Sequence, residues 1–430
     1  MINLKTNTLS LRNKLNNKDI IKPFSNERLF LFLINTIIQM NYILFDGPYR
    51  ENLLPFTYTK PVADLRIGIL TIREKWELFL KTTTTTVTED YLSEKYPMVE
   101  LDHNVMINAS VLPSKDLVDQ IKNLKQNQSI YYNDELIAFF SMSDVDNIDF
   151  EEFDKINLND EPILIKNTWD IFSKNGIALQ CDYDKLTEGR TSLPIPNSVD
   201  VINPEQIFIE EGATLNFVTI NASKGPVYIG KNSEIMEGSI IRGPLALCEG
   251  AILKLGTKIY GPTTVGPYSK IGGEVNNSVI SGYSNKGHDG FLGNSVIGEW
   301  CNLGADTNTS NLKNNYAEVR LWDYESGRFA KTGLQFCGLM MGDHSKCAIN
   351  TMFNTGTVVG VCANIFGSGF PRNFVPSFSW GGSQGFTTYL TPKAFEVAKI
   401  VMSRRNIEFT KQDEFILTTV FKQTEAYRKS

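Results

Sequence analysis

The segment Gly287-His288-Asp289-Gly290 contains the side chain best suited to chemistry in this 430-residue sequence. An imidazole with a pKa of about 6.5 takes up and releases a proton near neutral pH, so His288 is a candidate general base. The flanking glycines permit close approach of the backbone, and backbone N–H groups there could stabilise an oxyanion. The alternative is a histidine that only forms hydrogen bonds within a turn.

His288 lies in an interruption of a repeat. An aliphatic residue recurs at every sixth position from Ile229 to Ile271, and the spacing returns from Phe291 to Leu303 and from Met341 to Ile365. Six residues of α-helix would turn through about 600° and scatter these side chains, whereas six residues of strand point them the same way. The pattern predicts a parallel β-helix whose chain leaves the prism as loops at 277–290 and 305–335.

Composition and charge exclude several classes of protein. The net charge is −6 and charged residues make up 21%, so no basic surface for nucleic acid is expected. Six cysteines without a CxxC pair and only three histidines argue against a zinc site. Cys347 falls on the repeat, which predicts a buried thiol in a reducing compartment. The apolar stretch 29–38 is shorter than the roughly 20 residues that span a bilayer.

The sequence divides into four parts. Residues 1–39 are rich in Asn and Lys and are expected to form a poorly ordered extension, because the first clear strand follows Met40. Residues 40–200 have an α/β pattern, and residues 201–390 contain the β-helix. Residues 391–430 predict a helical tail, in which Thr410 and Asp413 resemble a capping box.

The order Gly-His, two residues, an aromatic, then Leu-Gly and Val296-Ile297-Gly298 resembles an acetyltransferase motif. It is found in the bifunctional UDP-N-acetylglucosamine pyrophosphorylase/glucosamine-1-phosphate N-acetyltransferase family. That family transfers acetyl from acetyl-CoA on a left-handed β-helix and has an N-terminal sugar nucleotidyltransferase domain. The resemblance spans about 200–370 and implies that His288 is the general base. This sequence differs from the family's motif at Phe291, where the family has tyrosine, and at Asn276-Asn277, where the family has paired lysines.

Five further residues are expected to bind substrate. Asn315-Tyr316 resembles an Asn-Tyr pair on the family's substrate loop, and Arg328 and Lys331 resemble the basic residues that follow it. Arg242 could compensate for the missing lysines, or simply lie on an exposed face of the β-helix.

The stretch Leu44-Phe45-Asp46-Gly47-Pro48-Tyr49-Arg50, followed by Lys60-Pro61, resembles an abbreviated nucleotidyltransferase opening. This implies that Gly47, Arg50 and Lys60 bind nucleotide and that Asn108 stands where the family has a magnesium-binding aspartate. Pro48 removes a backbone donor, and a neutral amide is a poorer Mg²⁺ ligand than a carboxylate. Nucleotidyl transfer with Mg²⁺ and a degenerate or sugar-binding domain both stay open.

The resemblance implies a fold class of abbreviated α/β domain, left-handed β-helix and C-terminal helices. It implies a cytoplasmic homotrimer that uses acetyl-CoA or another acyl-CoA to acylate an amino-sugar phosphate, with UTP or dTTP as a nucleotide substrate. No nucleic acid or membrane partner is expected. One alternative is a uridylyl- or thymidylyltransferase acting on a sugar-1-phosphate, with a non-catalytic β-helix. Another is a non-catalytic trimeric scaffold that binds a sugar nucleotide.

Overall fold

A computed structural model describes residues 40–141 and 152–429, so the expectation for 1–39 lies outside the described residues. An α/β domain is followed by a parallel β-helix of about ten turns and then by C-terminal helices. The predicted fold class is confirmed at this level. Within the described ranges, no helix is long and apolar enough to cross a membrane.

The N-terminal domain is built on a six-stranded mixed sheet in the order β2-β1-β3-β5-β4-β6. Its strands are β1 (Asn41–Phe45), β2 (Thr85–Val87), β3 (Asn104–Asn108), β4 (Gln128–Tyr132), β5 (Glu135–Ser141) and β6 (Asp154–Asn157). Strand β1 runs parallel to both β2 and β3, so the carboxyl ends of β1 and β3 meet at one edge of the sheet. That edge is where the candidate nucleotide-binding residues are placed.

The helices of this domain are α1 (Ile72–Leu80), α2 (Asp90–Ser93), α3 (Lys115–Lys122), α4 (Asp170–Ser173) and α5 (Asn175–Thr187). Short 3₁₀ turns cover Glu51–Leu53, Phe56–Tyr58 and Val62–Asp64. Helix α1 begins at a capping box, in which Thr71 and Glu74 satisfy each other's backbone N–H groups. It buries Trp76, whose indole N–H donates to the Val111 carbonyl at 2.9 Å and fixes α1 on the sheet.

The β-helix has three parallel faces. Face 1 comprises Asp200–Ile202, Thr219–Asn221, Ile240–Arg242, Lys258–Tyr260, Glu274–Asn276 and Phe291–Gly293. Face 2 comprises Ile207–Ile209, Val227–Ile229, Leu245–Leu247, Thr263–Val265, Val279–Gly282, Val296–Glu299, Leu339–Met341, Thr357–Val359 and Phe374–Val375. Face 3 comprises Thr214–Leu215, Glu234–Ile235, Ile252–Leu253, Lys270–Ile271, Asn285–Lys286, Asn302–Leu303, Lys346–Cys347, Asn364–Ile365 and Ser379–Gly382, and Gly385–Thr388 closes it as an antiparallel hairpin.

The coil continues through the first predicted interruption. Residues 277–290 do not leave the prism as a loop, because they contribute a strand to face 2 and another to face 3. The spacing between successive inward residues on face 3 shortens from 18 residues to 15, between Ile271 and Lys286. The six-residue spacing therefore slips, and Leu292 rather than Phe291 points inward on face 1. The expected positions of Phe291 and of a loop at 277–290 were wrong for this reason.

The second interruption does leave the coil, as a hairpin of Arg320–Asp323 and Arg328–Lys331. Trp322 stacks on Phe374 at 4.1 Å between ring centroids, and Tyr324 packs edge-on against Tyr58 and Tyr427. The hairpin is therefore held between the N-terminal domain and the C-terminal helices of its own chain. A separate pair of short strands, Asn308–Thr309 and Met352–Phe353, continues the wall beyond face 1.

The C-terminal helices are α6 (Thr391–Ser403), α7 (Lys411–Gln423) and α8 (Glu425–Arg428). The capping box predicted at Thr410 and Asp413 is confirmed. These helices share one apolar core with the N-terminal domain, including Phe395, Ile416 and Val420. The N-terminal domain covers face 2, where Thr264 donates to the Gly68 carbonyl at 2.8 Å. On face 1, by contrast, the outward side chain of Ile240 is 56% exposed.

Candidate active site

His288 lies at the corner where the chain passes from face 3 to face 1, directly after the strand Asn285–Lys286. Its side chain is exposed and lines a cavity of about 660 Å³. The other lining residues are Lys254, Lys270, Tyr283, Asn285, Gly287, Trp300, Cys301, Asn302, Leu303, Gly304, Ala305, Lys346, Ile349, Val401, Arg404 and Arg405. The candidate base is thus open to a space large enough for a small-molecule ligand.

The floor of the cavity is a ladder of polar side chains on face 3. Lys270, Asn285, Asn302 and Lys346 pair in register on four consecutive coils. Neighbouring strands are about 4.8 Å apart, so this ladder extends over roughly 14 Å. Because inward and outward residues alternate along each strand, the apolar neighbours Ile271, Leu303 and Cys347 fill the interior while these four face outward.

The roof comes from the end of α6 and the residues that follow it. Val401, Arg404 and Arg405 close the cavity opposite the ladder. The Arg405 guanidinium donates to the Tyr268 carbonyl at 3.2 Å and to Asn285 Oδ1 at 3.4 Å. These bonds connect the C-terminal tail to the β-helix at the cavity, so the tail is part of the site.

The cavity is strongly positive. Lys254, Lys270, Lys346, Arg404 and Arg405 line it, and no aspartate or glutamate in the described part of the chain does. None of these five cations has a carboxylate within ion-pair distance among residues 40–141 and 152–429. Burial, reinforced by Arg405, Lys254 and Arg404, lowers the pKa of Lys270, and burial lowers that of Lys346. Such a concentration of charge favours a bound anion, and phosphate is the common biological one.

The glycines around His288 have different roles. Gly290 has a φ of +116°, and a Cβ there would lie 2.2 Å from the Thr307 carbonyl oxygen, so only glycine fits. A Cβ at Gly287 would meet nothing within 4 Å. The turn is held from inside the prism, because the Lys286 ammonium donates to the His288 carbonyl at 2.9 Å and to the Gly272 carbonyl at 2.8 Å.

The other predicted substrate-binding residues do not meet His288 within one chain. Asn315 and Tyr316 lie on the loop before the hairpin, where the Asn315 side chain accepts from the Ala317 N–H at 3.1 Å and Tyr316 is 64% exposed. Arg328 and Lys331 are on the hairpin, and Lys331 lies 3.6 Å from Glu318. Arg242 is exposed on face 1, three coils from Phe291–Gly293, or about 14 Å away. None of the five lines the cavity.

At the carboxyl edge of the N-terminal sheet, the predicted nucleotide-binding residues contact one another. Arg50 pairs with Asp46 at 3.1 Å and also donates to the Thr57 carbonyl at 2.7 Å and the Tyr91 hydroxyl at 3.0 Å. A Cβ on Gly47 would lie 2.6 Å from the Asn108 amide oxygen, so glycine is needed for this close approach. The structure therefore brings Gly47, Arg50 and Asn108 to one edge, as the sequence indicated.

Lys60 is turned away from that edge, towards the β-helix. It is 5% exposed, and its ammonium lies 3.0 Å from both Glu299 and Asp343. Thr59 also donates to Asp343, at 2.6 Å. Burial alone would lower the pKa of Lys60, but the two carboxylates outweigh it and raise the pKa. In this arrangement the lysine joins the two domains.

The groups at this edge do not fit a Mg²⁺ site. The Asn108 amide donates to the Leu136 carbonyl at 3.1 Å, and its oxygen accepts from the Ser110 N–H at 2.9 Å. Its oxygen is thus already bonded, and a neutral amide is a weak ligand for a hard dication. Among the described residues, no group of three or more His, Cys, Asp and Glu side chains could hold a metal ion.

Sequence reasoning missed most of the cavity. Strand pairing between successive coils places Lys270 and Lys346 on one line. This could be predicted only by recognising that the spacing of inward residues shortens between Ile271 and Lys286. The sequence predicted that Arg404 and Arg405 lie at the end of a helix. Nothing in the local sequence indicated that this end lies beside His288.

Comparison with known proteins agrees with this architecture. Residues 42–191 match the family described as sugar nucleotidyl transferase. A bifunctional sugar-1-phosphate nucleotidylyltransferase/acetyltransferase of Sulfurisphaera tokodaii is 32% identical over 204 residues, covering 42% of this chain and 50% of that protein. The bifunctional protein GlmU of Methanocaldococcus jannaschii is 31% identical over 147 residues, covering 30% and 35%. An uncharacterized acetyltransferase, YaiX, of Escherichia coli is 28% identical over 144 residues, covering 33% and 62%.

The chain spans about half the length of the first of these relatives. Among solved structures, a UDP-N-acetylglucosamine acyltransferase of Francisella novicida aligns at 17% identity with a TM-score of 0.25, over 54% of this chain and 76% of that one. A score this low gives no information about function. Residues 42–191 are thus similar to sugar nucleotidyl transferases and are followed by a parallel β-helix, and the relatives include a protein named as a bifunctional nucleotidylyltransferase/acetyltransferase, as the resemblance implied.

Proposed function

We propose that this protein is a bifunctional transferase of sugar-nucleotide synthesis. On the β-helix it transfers an acyl group, acetyl or another, from acyl-CoA to an amino-sugar phosphate. Its N-terminal domain transfers a nucleotidyl group from UTP or dTTP to a sugar-1-phosphate. The observation that supports this most strongly is the exposed imidazole of His288 in a cavity lined by five cations and no carboxylate.

In the acyl transfer, His288 accepts a proton from the amino group as that nitrogen attacks the thioester carbonyl. The carbon–nitrogen bond forms, the carbon–sulfur bond breaks, and His288 passes the proton to the departing sulfur, so that coenzyme A leaves as its thiol and the imidazole is neutral again. The cations of the floor and roof bind the phosphates of the two substrates and hold them beside His288, since charge-assisted hydrogen bonds to phosphate are strong. Face 3 and α6 are rigid elements, so they fix the cations in place.

Nucleotidyl transfer is supported by the match of residues 42–191 to the sugar nucleotidyl transferase family. Gly47 and Arg50 lie at the carboxyl edge of parallel strands, where ligands bind in open α/β sheets. Lys60 and Asn108 would have to exchange their present partners to bind a nucleotide. The Asn108 side chain, with its amide group already hydrogen-bonded, does not fit Mg²⁺.

We further propose a homotrimer in the cytoplasm. Arg242, Asn315, Tyr316, Arg328 and Lys331 lie away from the cavity of their own chain, and a neighbouring copy could bring them to it. The exposed outer surface of face 1 offers room for such a contact. The six free cysteines, five of them buried, suit a reducing compartment. The mass of the particle in solution tests the trimer directly.

The acyl transfer is tested with acyl-CoA and a panel of amino-sugar phosphates, by measuring release of free thiol. The wild type should release thiol, and His288→Asn should lower kcat by about 10²–10⁴, the usual contribution of a general base. His103→Asn is the matched control and should leave kcat unchanged. No thiol release with any acceptor, or full activity of His288→Asn, would reject the proposal for the β-helix.

The nucleotidyl transfer is tested separately, with UTP or dTTP and sugar-1-phosphates, by measuring release of pyrophosphate. Pyrophosphate without thiol would indicate a nucleotidyltransferase with a non-catalytic β-helix. Binding of a sugar nucleotide without either product would indicate a scaffold. Both products are the expected result.

A further inference from the structure

Lys286 occupies a position that the β-helix otherwise fills with apolar side chains. On the preceding coil its partner is Ile271, and on the following coil Leu303 is at the same level. Both neighbours are buried in the apolar interior. Lys286 itself is 3% exposed, so its four-carbon stem runs inside the prism.

The Lys286 ammonium ends at the turn that presents His288. It donates to the Gly272 carbonyl at 2.8 Å and to the His288 carbonyl at 2.9 Å. Burial lowers the pKa of Lys286 to about 8, and Asp289 and Asp306 limit the decrease. A leucine or methionine would fill this position without the cost of burying an ammonium. The interior of the prism therefore does not explain why a lysine stands here.

The imidazole of His288 is not held by hydrogen bonds of its own. Within the described ranges, this side chain has no hydrogen-bond partner and is exposed. Its neighbours in sequence include Gly287 and Gly290, which do not restrict the backbone as other residues would. The ammonium bridge from one coil to the next holds the His288 carbonyl itself, while the carbonyls of Asp289 and Gly290 accept from the N–H groups of Asp306 and Glu274.

We propose that Lys286 is a positioning residue for acyl transfer, which holds the His288 main chain so that the imidazole keeps its place at the cavity. This inference rests on the proposed function. A side chain that only stabilised the coil would affect the amount of folded protein. A positioning residue affects the turnover of the folded enzyme and the surroundings of the imidazole.

The kinetic test compares Lys286→Met with Leu253→Met, which changes the inward residue of face 3 two coils earlier, outside the cavity lining. Thiol release is measured for folded protein of each variant. Lys286→Met should lower kcat about tenfold or more and change the KM of both substrates less than twofold, and Leu253→Met should change neither. Equal losses in the two variants, or an unchanged kcat in Lys286→Met, would overturn the inference. Lys286→Gln, which keeps a donor group, should give an intermediate kcat if Lys286→Met folds poorly.

A second readout does not depend on turnover. The sequence contains three histidines, so the imidazole signals in an NMR spectrum of the full chain are few, and His288→Asn assigns the one of interest. Lys286→Met should shift the His288 signals, whereas Leu253→Met should leave them in place. If no acyl transfer is found but the signals move, the proposed function fails and the positioning contact stands. If transfer occurs and the signals do not move, the positioning role fails alone.

Discussion

The candidate nucleotide-binding cations of the N-terminal domain are paired with carboxylates, whereas the cations around the His288 cavity have no carboxylate at ion-pair distance within residues 40–141 and 152–429. Arg50 is paired with Asp46, and Lys60 with Glu299 and Asp343. The two lysines of the face 3 ladder and the two arginines after α6 have no carboxylate at ion-pair distance in the described part of the chain. Both regions contain lysine and arginine. In the described part of the chain, the cations around the His288 cavity are not neutralised by a carboxylate and can attract an anionic ligand.

This difference distinguishes charged side chains that stabilise the fold through ion pairs from charged side chains that are free to bind a ligand. A buried ion pair is held by its geometry, and removing one partner leaves an uncompensated charge. Lysines that remain unpaired beside other cations are unfavourable in the free protein, and a bound anion relieves that repulsion. In this conformation the Lys60 ion pairs therefore join the two domains, while the cations of the cavity remain available for a ligand.

The largest effect is expected from breaking the interdomain ion pair. Lys60→Met leaves Asp343 buried without its counter-charge, so the free energy of unfolding should fall by about 3–5 kcal/mol. Denaturant unfolding measures this change. Lys258→Met, on the exposed face 1, is the control and should have little effect. Adding Asp343→Asn to Lys60→Met should recover part of the loss. A Lys60→Met protein as stable as the wild type would show that the pair does not join the domains.

A smaller effect is expected from His344, which adjoins the same ion pair. Burial lowers the pKa of His344 to about 3, so the folded state stays neutral where the unfolded state takes up a proton. Stability should therefore fall as the pH drops below about 6.5, by roughly 2 kcal/mol at pH 5. His344→Asn suits the positive φ of 61° at this position and should flatten the pH dependence between 6.5 and 5.

The measurement is the unfolding midpoint as a function of pH in that range, and its slope matters rather than its absolute value. His103→Asn serves as the control and should keep the slope of the wild type. If the His344→Asn slope equals that of the wild type, the buried imidazole is not the source of the acid sensitivity.

Much of the fold followed from the sequence because a single repeating constraint determines it. An aliphatic residue at each inward position defines the prism, and the capping box at Thr410 is a local hydrogen-bond pattern. The coil shortened between Ile271 and Lys286 was not predicted, because its inward residues Val275 and Ile280 follow at four and five positions instead of six, and the next inward residue is a lysine rather than an apolar side chain.

The candidate site was less accessible to sequence reasoning. His288 stood out because its neighbours form a compact motif. The cations around it come from three different coils and from the residues at the end of α6, more than one hundred residues further along the chain. Only the tertiary structure brings them together. Lys60 was predicted to bind nucleotide because of its place in the motif. Nothing in the local sequence indicated that it would pair with Glu299 and Asp343 on the β-helix.

The most direct test of the distinction between paired and unpaired charge is the affinity of the cavity for coenzyme A, measured by calorimetric titration. Arg404→Gln with Arg405→Gln removes two unpaired charges, and the Kd should rise by at least about tenfold, since 1.4 kcal/mol corresponds to a factor of ten. Lys224→Gln with Lys422→Gln removes the same charge from exposed positions outside the cavity lining and should leave the Kd within about twofold. A Kd that does not change in the arginine pair would contradict the assignment of this cavity as the ligand site.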